Sequence, residues 1–298
     1  YALGSEVTQT GKAMLLGNPH YPWRGPRRFY QVHMTIPGEM NVMGITILGS
    51  SLINVGFTEK LAWTHTVSNA NRFTLYELDL SDQDRDVYFF DRKRFRIRSV
   101  PVTVEVKEDN GTLTKETIRL NFSRYGLLLD AGILLGDSTL EGWPNKDGKV
   151  FAIRDVAMEN TRVGDTLVGM LTATNFDNFL DAIRDNLGLS FINTIAVNSD
   201  GEAFYGDYST IPYLTDEQLL NCQPSETGQA LNQSSIDILR NPIGIPVLAG
   251  NRSECDWIVD PASPQEGLIP GEKLASIRTN QYASNSNDSY WLSNLDNP

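Results

Sequence analysis

Histidine and cysteine, two residue types on which much protein chemistry depends, are scarce in this chain. Its 298 residues include three histidines and two cysteines. The histidines (His20, His33 and His65) lie far apart in the sequence, and no set of carboxylates has the spacing of a metal-ligand motif. The sequence therefore predicts no metal site, and it gives no sign of a cofactor.

Long apolar runs and an excess of positive charge are also missing. No apolar run approaches the roughly 18 residues that a membrane-spanning helix requires. Asp and Glu (37) outnumber Lys and Arg (25), which gives a net charge of −12 and a pI of about 4.7. Because nucleic acids and anionic membranes repel such a charge, we expect neither as a partner. The first residue is not Met and no basic segment leads into an apolar one, so we expect a processed or trimmed chain.

The composition that remains is that of a globular protein. Apolar residues make up 40% of the chain and charged residues 21%, which are ordinary values for a soluble domain. A chain of 298 residues can bury a sizeable core, either as one large domain or as two smaller ones.

Alternating patterns predict strands over much of the first half of the chain. Residues 27–67 read as several consecutive strands separated by turns. In residues 29–36 both alternating faces carry bulky side chains, as in a strand that lies between two layers. Asn110-Gly111 falls between two alternating runs and predicts a surface β-hairpin. Residues 92–98 read RKRFRIR, which we interpret as one solvated strand face rather than a nucleic-acid contact.

The periodicity changes in the second half of the chain. Apolar side chains recur at helical spacing at Phe176, Phe179, Leu180, Ile183 and Leu187. Thr174 or Asn175 can cap the start of this helix, and Gly188 can end it. A weaker pattern predicts another helix over residues 162–171, and strands follow at residues 191–197 and 203–206. Strands, a helix pair and further strands indicate an α+β layered sandwich.

The first twenty-one residues hold a candidate site. Within them the apolar run 13–16 stops at Gly17 and Pro19, which predicts a buried strand. His20 and Tyr21 follow directly after this strand. Polar groups at strand ends that face a cleft are frequent site residues.

Four segments of the sequence carry a family resemblance. Residues 17–23 read GNPHYPW and residues 28–33 read RFYQVH. This pattern resembles the start of the β-subunit of the penicillin amidase family, in particular its branch of acyl-homoserine lactone acylases and aculeacin-type lipopeptide acylases. Two further segments, WTHTV at 63–67 and SNSNDSYWL at 284–292, resemble family segments and come in the family's order.

Members of this family are N-terminal-nucleophile hydrolases. A precursor cleaves itself, and the new β-subunit begins with a Ser whose hydroxyl attacks the substrate while its own α-amine takes the proton. An α-amine has a pKa of about 7.7–8.0, so it is partly neutral at working pH. The resemblance implies such a Ser about three residues before Tyr1, an α-subunit from the same precursor as a partner, and a partial β-subunit over residues 1–298.

The resemblance also implies roles for three residues of this chain. The main-chain N–H of Val67 and the side-chain amide of Asn287 would bind the tetrahedral oxyanion, with Asn285 as the alternative to Asn287. His20 would lie beside the nucleophile and orient it, or lend polarity to its α-amine.

The family places the acyl chain in an apolar pocket. The matching positions here are apolar or aromatic, as such a pocket requires: Tyr21, Ile47, Phe191 and Ile192. Phe191 stands where the related sequences carry Trp, and Ser50 stands where they carry a larger apolar residue. Either difference could alter the length of acyl chain accepted.

The resemblance further implies the fold and the state of the two cysteines. The family fold is an αββα four-layer sandwich, of which this chain would supply part. Residues 214–275 are rich in Ser, Asn, Gln, Pro and Gly and predict a loop-rich excursion. From spacing alone Cys222 and Cys255 are either free thiols or a disulfide, whereas the family carries a matching pair in exported proteins. On that resemblance we expect a disulfide and a periplasmic or secreted protein.

Three functions remain open at this point. The first is removal of a fatty-acyl chain from an acyl-homoserine lactone, a lipopeptide or a similar N-acyl amide. The second is penicillin or cephalosporin acylase activity, which Tyr21 and Phe191 would permit. The third is a fragment without a nucleophile that only binds acyl ligands. In each case the expected partner is a small N-acyl molecule.

Overall fold

The structure is a computed structural model that describes residues 1–129, 148–226, 228–229 and 245–296. The strands within these residues are β1 (Ala2–Leu3), β2 (Met14–Leu15), β3 (Phe29–Ile36), β4 (Met40–Ile47), β5 (Val55–Phe57), β6 (Leu61–Val67), β7 (Phe73–Asp79), β8 (Val87–Phe90), β9 (Lys93–Arg96), β10 (Arg98–Lys107), β11 (Leu113–Ser123), β12 (Gly126–Leu128), β13 (Lys149–Asp155), β14 (Ile192–Asn198), β15 (Ala203–Gly206), β16 (Val247–Ala249), β17 (Ser276–Thr279) and β18 (Tyr282–Ala283). The α-helices are α1 (Val163–Thr172), α2 (Phe176–Asn186) and α3 (Asp216–Asn221). Short 3₁₀ turns occur at Val156–Glu159, Ser253–Cys255, Gly271–Lys273 and Tyr290–Leu292.

The chain divides into two compact units. The first consists of Tyr1–Arg72, Val156–Tyr213 and Val259–Pro298, and the second of Phe73–Asp155 and Leu214–Ile258. The predicted excursion, residues 214–275, is therefore shared between the units. Residues 227 and 230–244 of it lie outside the described part of the chain.

A seven-stranded sheet is the centre of the first unit. Its strand order is β17-β15-β14-β6-β5-β4-β3, and its neighbouring strands are antiparallel. Strand β6 lies between β5 and β14, and Val67 at its end is opposite Ile192 of β14. Thus the WTHTV segment ends beside the start of β14.

The two faces of this sheet are covered by different layers. On one face the helix α2 packs on the sheet, where the rings of Trp63 and Phe179 lie 5.4 Å apart and those of Phe176 and Phe204 lie 6.3 Å apart. On the other face lies a small sheet of order β18-β1-β2. Side chains of β1, β14, β15 and β18 form a common core there: Ala2, Ile195, Val197, Ala203, Tyr205 and Ala283.

Both predicted helices are present, and the longer one forms for the reasons read from the sequence. In α2 the side chains of Phe176, Phe179 and Ile183 are buried on one face. The Asn175 side chain caps the helix by accepting the Asn178 N–H at 2.8 Å. Its end differs from the expectation, because Leu187 rather than Gly188 takes the left-handed conformation there. The weaker helix, expected over residues 162–171, is α1.

The second unit contains a six-stranded sheet of order β10-β11-β12-β13-β7-β16. The predicted hairpin is confirmed, because β10 and β11 pair from Lys107↔Leu113 outwards around Asn110-Gly111. Strand β16 pairs parallel to β7. A disulfide joins Cys222 to Cys255 in this unit, as the family resemblance implies. The basic segment at residues 92–98 supplies β9 of the two-stranded β8-β9 ribbon, and the side chains of β9 are exposed, as interpreted.

Two expectations about burial are wrong. The strand at residues 29–36 was expected between two layers, but β3 is the last strand of its sheet and most of its side chains are exposed. The run 13–16 forms the short strand β2, yet Met14 is 57% and Leu16 61% exposed. Both errors have one cause, because local periodicity does not reveal whether a strand ends a sheet.

Candidate active site

A cavity of about 640 Å³ lies within the first unit. Its wall is formed by the segment before β3, the ends of β4 and β6, helix α1, the start of β14 and the loop after β18. The residues predicted for catalysis and for acyl binding all lie on this wall: His20, Tyr21, Ile47, Val67, Phe191, Ile192 and Asn287. The structure thus brings together positions that are up to 267 residues apart, since 287 − 20 = 267.

His20 is exposed at the mouth of the cavity and follows β2. The Asn18 Nδ2 lies 3.4 Å from His20 Nε2. Upstream, the nitrogen of Tyr1 donates to the Leu16 carbonyl at 3.0 Å, and the Leu16 N–H donates to the Tyr1 carbonyl at 2.8 Å. These two bonds hold Tyr1, which also lines the cavity, beside the segment that leads to His20.

Val67 and Asn287 are in direct contact. The Val67 N–H donates to the Asn287 Oδ1 at 2.8 Å. Asn287 has a φ of 67°, a left-handed conformation that asparagine adopts more readily than most residues. The two groups expected to bind an oxyanion therefore lie side by side, with the amide oxygen of Asn287 turned towards the N–H.

Asn285, the alternative to Asn287, shapes the loop that carries it. Its Oδ1 accepts the Asn287 N–H at 2.8 Å, and its Nδ2 donates to the Asp288 carbonyl at 2.8 Å. The same Oδ1 accepts the hydroxyl of Thr66 at 2.6 Å. Asn285 is only 7% exposed, so its side chain is occupied by the loop and by strand β6.

The remaining wall of the cavity is mainly apolar. The rings of Tyr21 and Phe29 lie 4.7 Å apart. Phe191 has a φ of 63°, and the guanidinium of Arg72 lies 4.6 Å from the centre of its ring. The sequence did not single out Leu167 of α1, which also lines the cavity. The apolar spacing of the predicted helix over residues 162–171 could have identified Leu167, because this residue falls on the buried face of that helix.

His65, another residue of the cavity wall, is held as a neutral ring. Burial lowers its pKa to about 4, against the weaker opposing effect of the Asn193 and Asn54 carbonyls. Its Nδ1 lies 3.1 Å from the Asn193 carbonyl, which fixes the proton on that nitrogen. His65 is therefore uncharged at neutral pH.

A buried carboxylate contacts Ser68, the residue that follows Val67. Asp207 accepts the hydroxyl of Ser68 at 2.7 Å and that of Ser209 at 2.6 Å. Burial raises the pKa of Asp207, and the hydrogen bonds from the two serines only partly oppose that effect. This cluster could not be predicted from the sequence, because Ser68 lies 139 residues from Asp207.

Within the described ranges, no group of three or more His, Cys, Asp and Glu side chains is arranged to hold a metal ion. The helices found in these ranges are too short or too polar to cross a membrane.

Comparison with known proteins gives the family of this chain. The penicillin amidase family pattern matches residues 1–297. The chain belongs to the penicillin amidase family.

Two relatives illustrate the similarity. An acyl-homoserine lactone acylase, PvdQ, from Pseudomonas syringae pv. tomato is 34% identical over 297 residues, which are 98% of this chain and 35% of the relative. Aculeacin-A acylase from Actinoplanes utahensis is 33% identical over 292 residues, 98% of this chain and 34% of that enzyme. The chain thus spans about a third of the length of these curated relatives.

A solved structure shows the same fold. A thermostable penicillin G acylase from Alcaligenes faecalis superposes with a TM-score of 0.67 at 14% sequence identity. The superposition covers 93% of this chain and 41% of that one. The chain shares the fold of this acylase over most of its length, and it builds that fold from β-sheets with few helices.

Proposed function

We propose that this chain is part of an enzyme that removes a fatty-acyl chain from an acyl-homoserine lactone or a similar N-acyl amide. One observation carries the proposal. A single cavity presents the Val67 N–H and the Asn287 amide at one part of its wall and apolar side chains over the rest. Amide hydrolysis of an acyl substrate needs this combination of oxyanion donors and an apolar pocket.

In the proposed mechanism a Ser just before Tyr1 attacks the amide carbonyl. Its own α-amine accepts the hydroxyl proton, since a group with a pKa of about 7.7–8.0 is partly neutral at working pH. The α-amine then gives this proton to the leaving nitrogen as the amide C–N bond breaks, and water, deprotonated by the same amine, cleaves the acyl-Ser and releases the fatty acid. Tyr1 lines the cavity, and this supports a position near the same wall for a Ser about three residues upstream of it. His20, which lies at the cavity mouth, orients that nucleophile.

The oxyanion of the tetrahedral intermediate is bound by the Val67 N–H and the Asn287 Nδ2. In the structure the Val67 N–H already donates to Asn287 Oδ1. The oxyanion therefore replaces Asn287 Oδ1 as the acceptor of the Val67 N–H. The side-chain amide of Asn287 rotates so that its Nδ2 also donates to the oxyanion. The exchange is favourable because hydrogen bonds to a charged oxygen are stronger than those to a neutral one.

The acyl chain occupies the apolar part of the cavity, beside Tyr21, Ile47, Phe191 and Ile192. A volume of about 640 Å³ falls within the range of about 300–1,000 Å³ that is usual for small-molecule sites. A second function, cleavage of an aryl-acetyl amide such as a penicillin, is favoured by the ring pair of Tyr21 and Phe29. Aromatic walls suit a flat acyl group as well as a chain.

The whole protein is proposed to be an αββα sandwich of an α-subunit and a β-subunit from one precursor. The first unit of this chain supplies a helical layer, a seven-stranded sheet and a small second sheet. A periplasmic or secreted location is supported by the disulfide between Cys222 and Cys255, since such bonds persist in oxidising compartments.

The test combines an activity assay with N-terminal sequencing and mass analysis of the complete gene product. N-terminal sequencing and intact mass would identify the first residue of the β-subunit, while hydrolysis of a long-chain acyl-homoserine lactone is followed by release of homoserine lactone. Phenylacetyl amides and penicillin G serve as the comparison substrates. A Ser-initiated chain that cleaves the lactone substrate supports the first function, and preference for the aryl substrates supports the second. Binding of acyl ligands without cleavage of either would overturn both.

A further inference from the structure

Two segments far apart in the chain provide the proposed oxyanion donors. Val67 ends strand β6, whereas Asn287 lies 220 residues later in the loop after β18. No backbone pairing joins β6 to β18, which belong to different sheets. Their spacing must therefore be set by side chains.

One buried amide contacts both segments. Asn193 of β14 is 1% exposed and lies opposite Thr66 in the strand register. Its Nδ2 donates to the Thr66 Oγ1 and to the Val67 carbonyl, each at 3.1 Å. The same nitrogen lies 3.3 Å from Asn285 Oδ1, the atom that also accepts the Asn287 N–H.

The direction of this amide is fixed from its other end. The hydroxyl of Tyr205 donates to Asn193 Oδ1 at 3.0 Å. Burial raises the pKa of Tyr205, so the hydroxyl retains the proton that it donates. With the oxygen held by Tyr205, the nitrogen of Asn193 must face the three acceptors on Thr66, Val67 and Asn285.

These bonds form one continuous chain of donors. Tyr205 donates to Asn193, Asn193 donates to Thr66, and Thr66 donates to Asn285. Such a buried chain strengthens its members and admits one arrangement of the groups. Asn193 therefore holds Val67 in two ways, because it bonds the side chain of the preceding Thr66 and the carbonyl of Val67 itself.

We propose that Asn193 is a positioning residue that sets the distance between the Val67 N–H and the Asn287 amide. This proposal rests on the proposed function, since it assigns a role within that oxyanion hole. The hydrogen-bonding requirement is specific to an amide. A carboxylate would place a negative oxygen against the oxygens of Val67 and Asn285, and an alkyl group would take from the Val67 carbonyl the donor that Asn193 supplies.

The test compares Asn193→Ala and Asn193→Asp with a matched control in the complete, processed protein. The control is Asn198→Ala, because Asn198 is on the same strand, is 5% exposed, bonds Glu202 instead and lies outside the cavity wall. We expect both Asn193 variants to lose about 10- to 100-fold in kcat, since a displacement of about 1 Å can cost 10²-fold. KM stays within a few-fold, because the oxyanion exists only in the transition state.

Two further readouts separate positioning from general damage. An alkyl boronic acid, which forms a tetrahedral adduct with a nucleophilic Ser, should lose affinity by the same factor as kcat, while the product fatty acid keeps its affinity. Relative to the wild type at each pH, Asn193→Asp should recover kcat as the pH falls, since a protonated carboxyl regains one donor. Asn193→Ala should show no such recovery.

If the Asn193 variants do not fold, the positioning role is tested with Thr66→Ala and Thr66→Ser instead. The serine keeps the hydroxyl that links Asn193 to Asn285, whereas the alanine removes it. Thr66→Ala should lose more kcat than Thr66→Ser. Folded Asn193 variants with wild-type kcat, or equal losses in both Thr66 variants, overturn the positioning role alone. A wild-type protein that cleaves no N-acyl amide overturns the proposed function, and the positioning role falls with it.

Discussion

Replacement of Asn287 is the most direct test of the proposed oxyanion hole. Asn287 has a φ of 67°, so Asn287→Ala combines loss of the amide with backbone strain of about 1–2 kcal/mol. Asn287→Gly removes the same amide without that strain, since glycine tolerates a positive φ. Comparing the two variants separates the chemical effect from the conformational one.

The expected size of the effect comes from the role assigned to the side chain. Loss of one oxyanion donor typically costs about 10²–10³ in kcat, or about 2.7–4 kcal/mol in the transition state. Both variants should show this loss, whereas only Asn287→Ala should lower the melting temperature appreciably. The assay is steady-state hydrolysis of a long-chain acyl-homoserine lactone, with thermal unfolding measured on the same samples.

A control variant separates loss of stability in the segment after β18 from loss of catalysis at the site. Asn294 is 1% exposed and donates to the Tyr282 carbonyl at 2.7 Å, but it does not line the cavity. Asn294→Ala should lower stability and leave kcat nearly unchanged. Wild-type kcat in a folded Asn287→Gly protein would refute the role of the Asn287 amide.

Three other predictions concern the pocket, the disulfide and the buried carboxylate. Ile47→Trp should fill part of the cavity and raise KM for long acyl chains more than for short ones. Measuring KM across a series of acyl lengths tests this, and equal changes in KM at every length would exclude Ile47 from the pocket. Replacing both Cys222 and Cys255 by serine should destabilise the protein by roughly 3–4 kcal/mol on the chain-entropy model for a 33-residue separation, visible in denaturant unfolding, and an unchanged midpoint would contradict this. Because the pKa of Asp207 is raised in the folded state, that state binds its proton more tightly than the unfolded one, and stability falls as the pH rises above the ordinary value of 3.8. Asp207→Asn should therefore gain in melting temperature relative to the wild type as the pH rises from 3.8 through the raised pKa of Asp207, and a constant difference would contradict the assignment.

Much of the local structure could be predicted from the sequence, because it depends on neighbouring residues. Helix α2 follows from its apolar spacing and its Asn175 cap, and the β10-β11 hairpin follows from Asn110-Gly111. The exposure of β3 and of Met14 could not be predicted. It depends on which strands lie alongside, and that is decided by residues elsewhere in the chain.

The candidate site, like the fold, could be predicted only in part. Motif resemblance pointed to His20, Val67 and Asn287, and the structure places all three on one cavity wall. The network behind them was not predicted, because Asn193 contacts Val67 across 126 residues and Asn285 across 92. A buried asparagine in an apolar strand carries no periodic signal of such contacts.

The bond between the Val67 N–H and Asn287 Oδ1 leads to a final prediction, a rank order among variants. In the proposed mechanism the oxyanion exchanges this neutral bond, worth about 0.5–1.5 kcal/mol, for a charged one of about 1.5–3 kcal/mol. Asn287→Gly frees the N–H from its competing oxygen and so recovers part of what loss of the donor costs. Asn287→Asp instead keeps an oxygen on the N–H, adds a charge that repels the oxyanion, and supplies no donor. Among folded proteins kcat should thus fall from wild type to Asn287→Gly to Asn287→Asp, and an Asn287→Asp enzyme faster than Asn287→Gly would show that this hydrogen bond does not compete with the oxyanion.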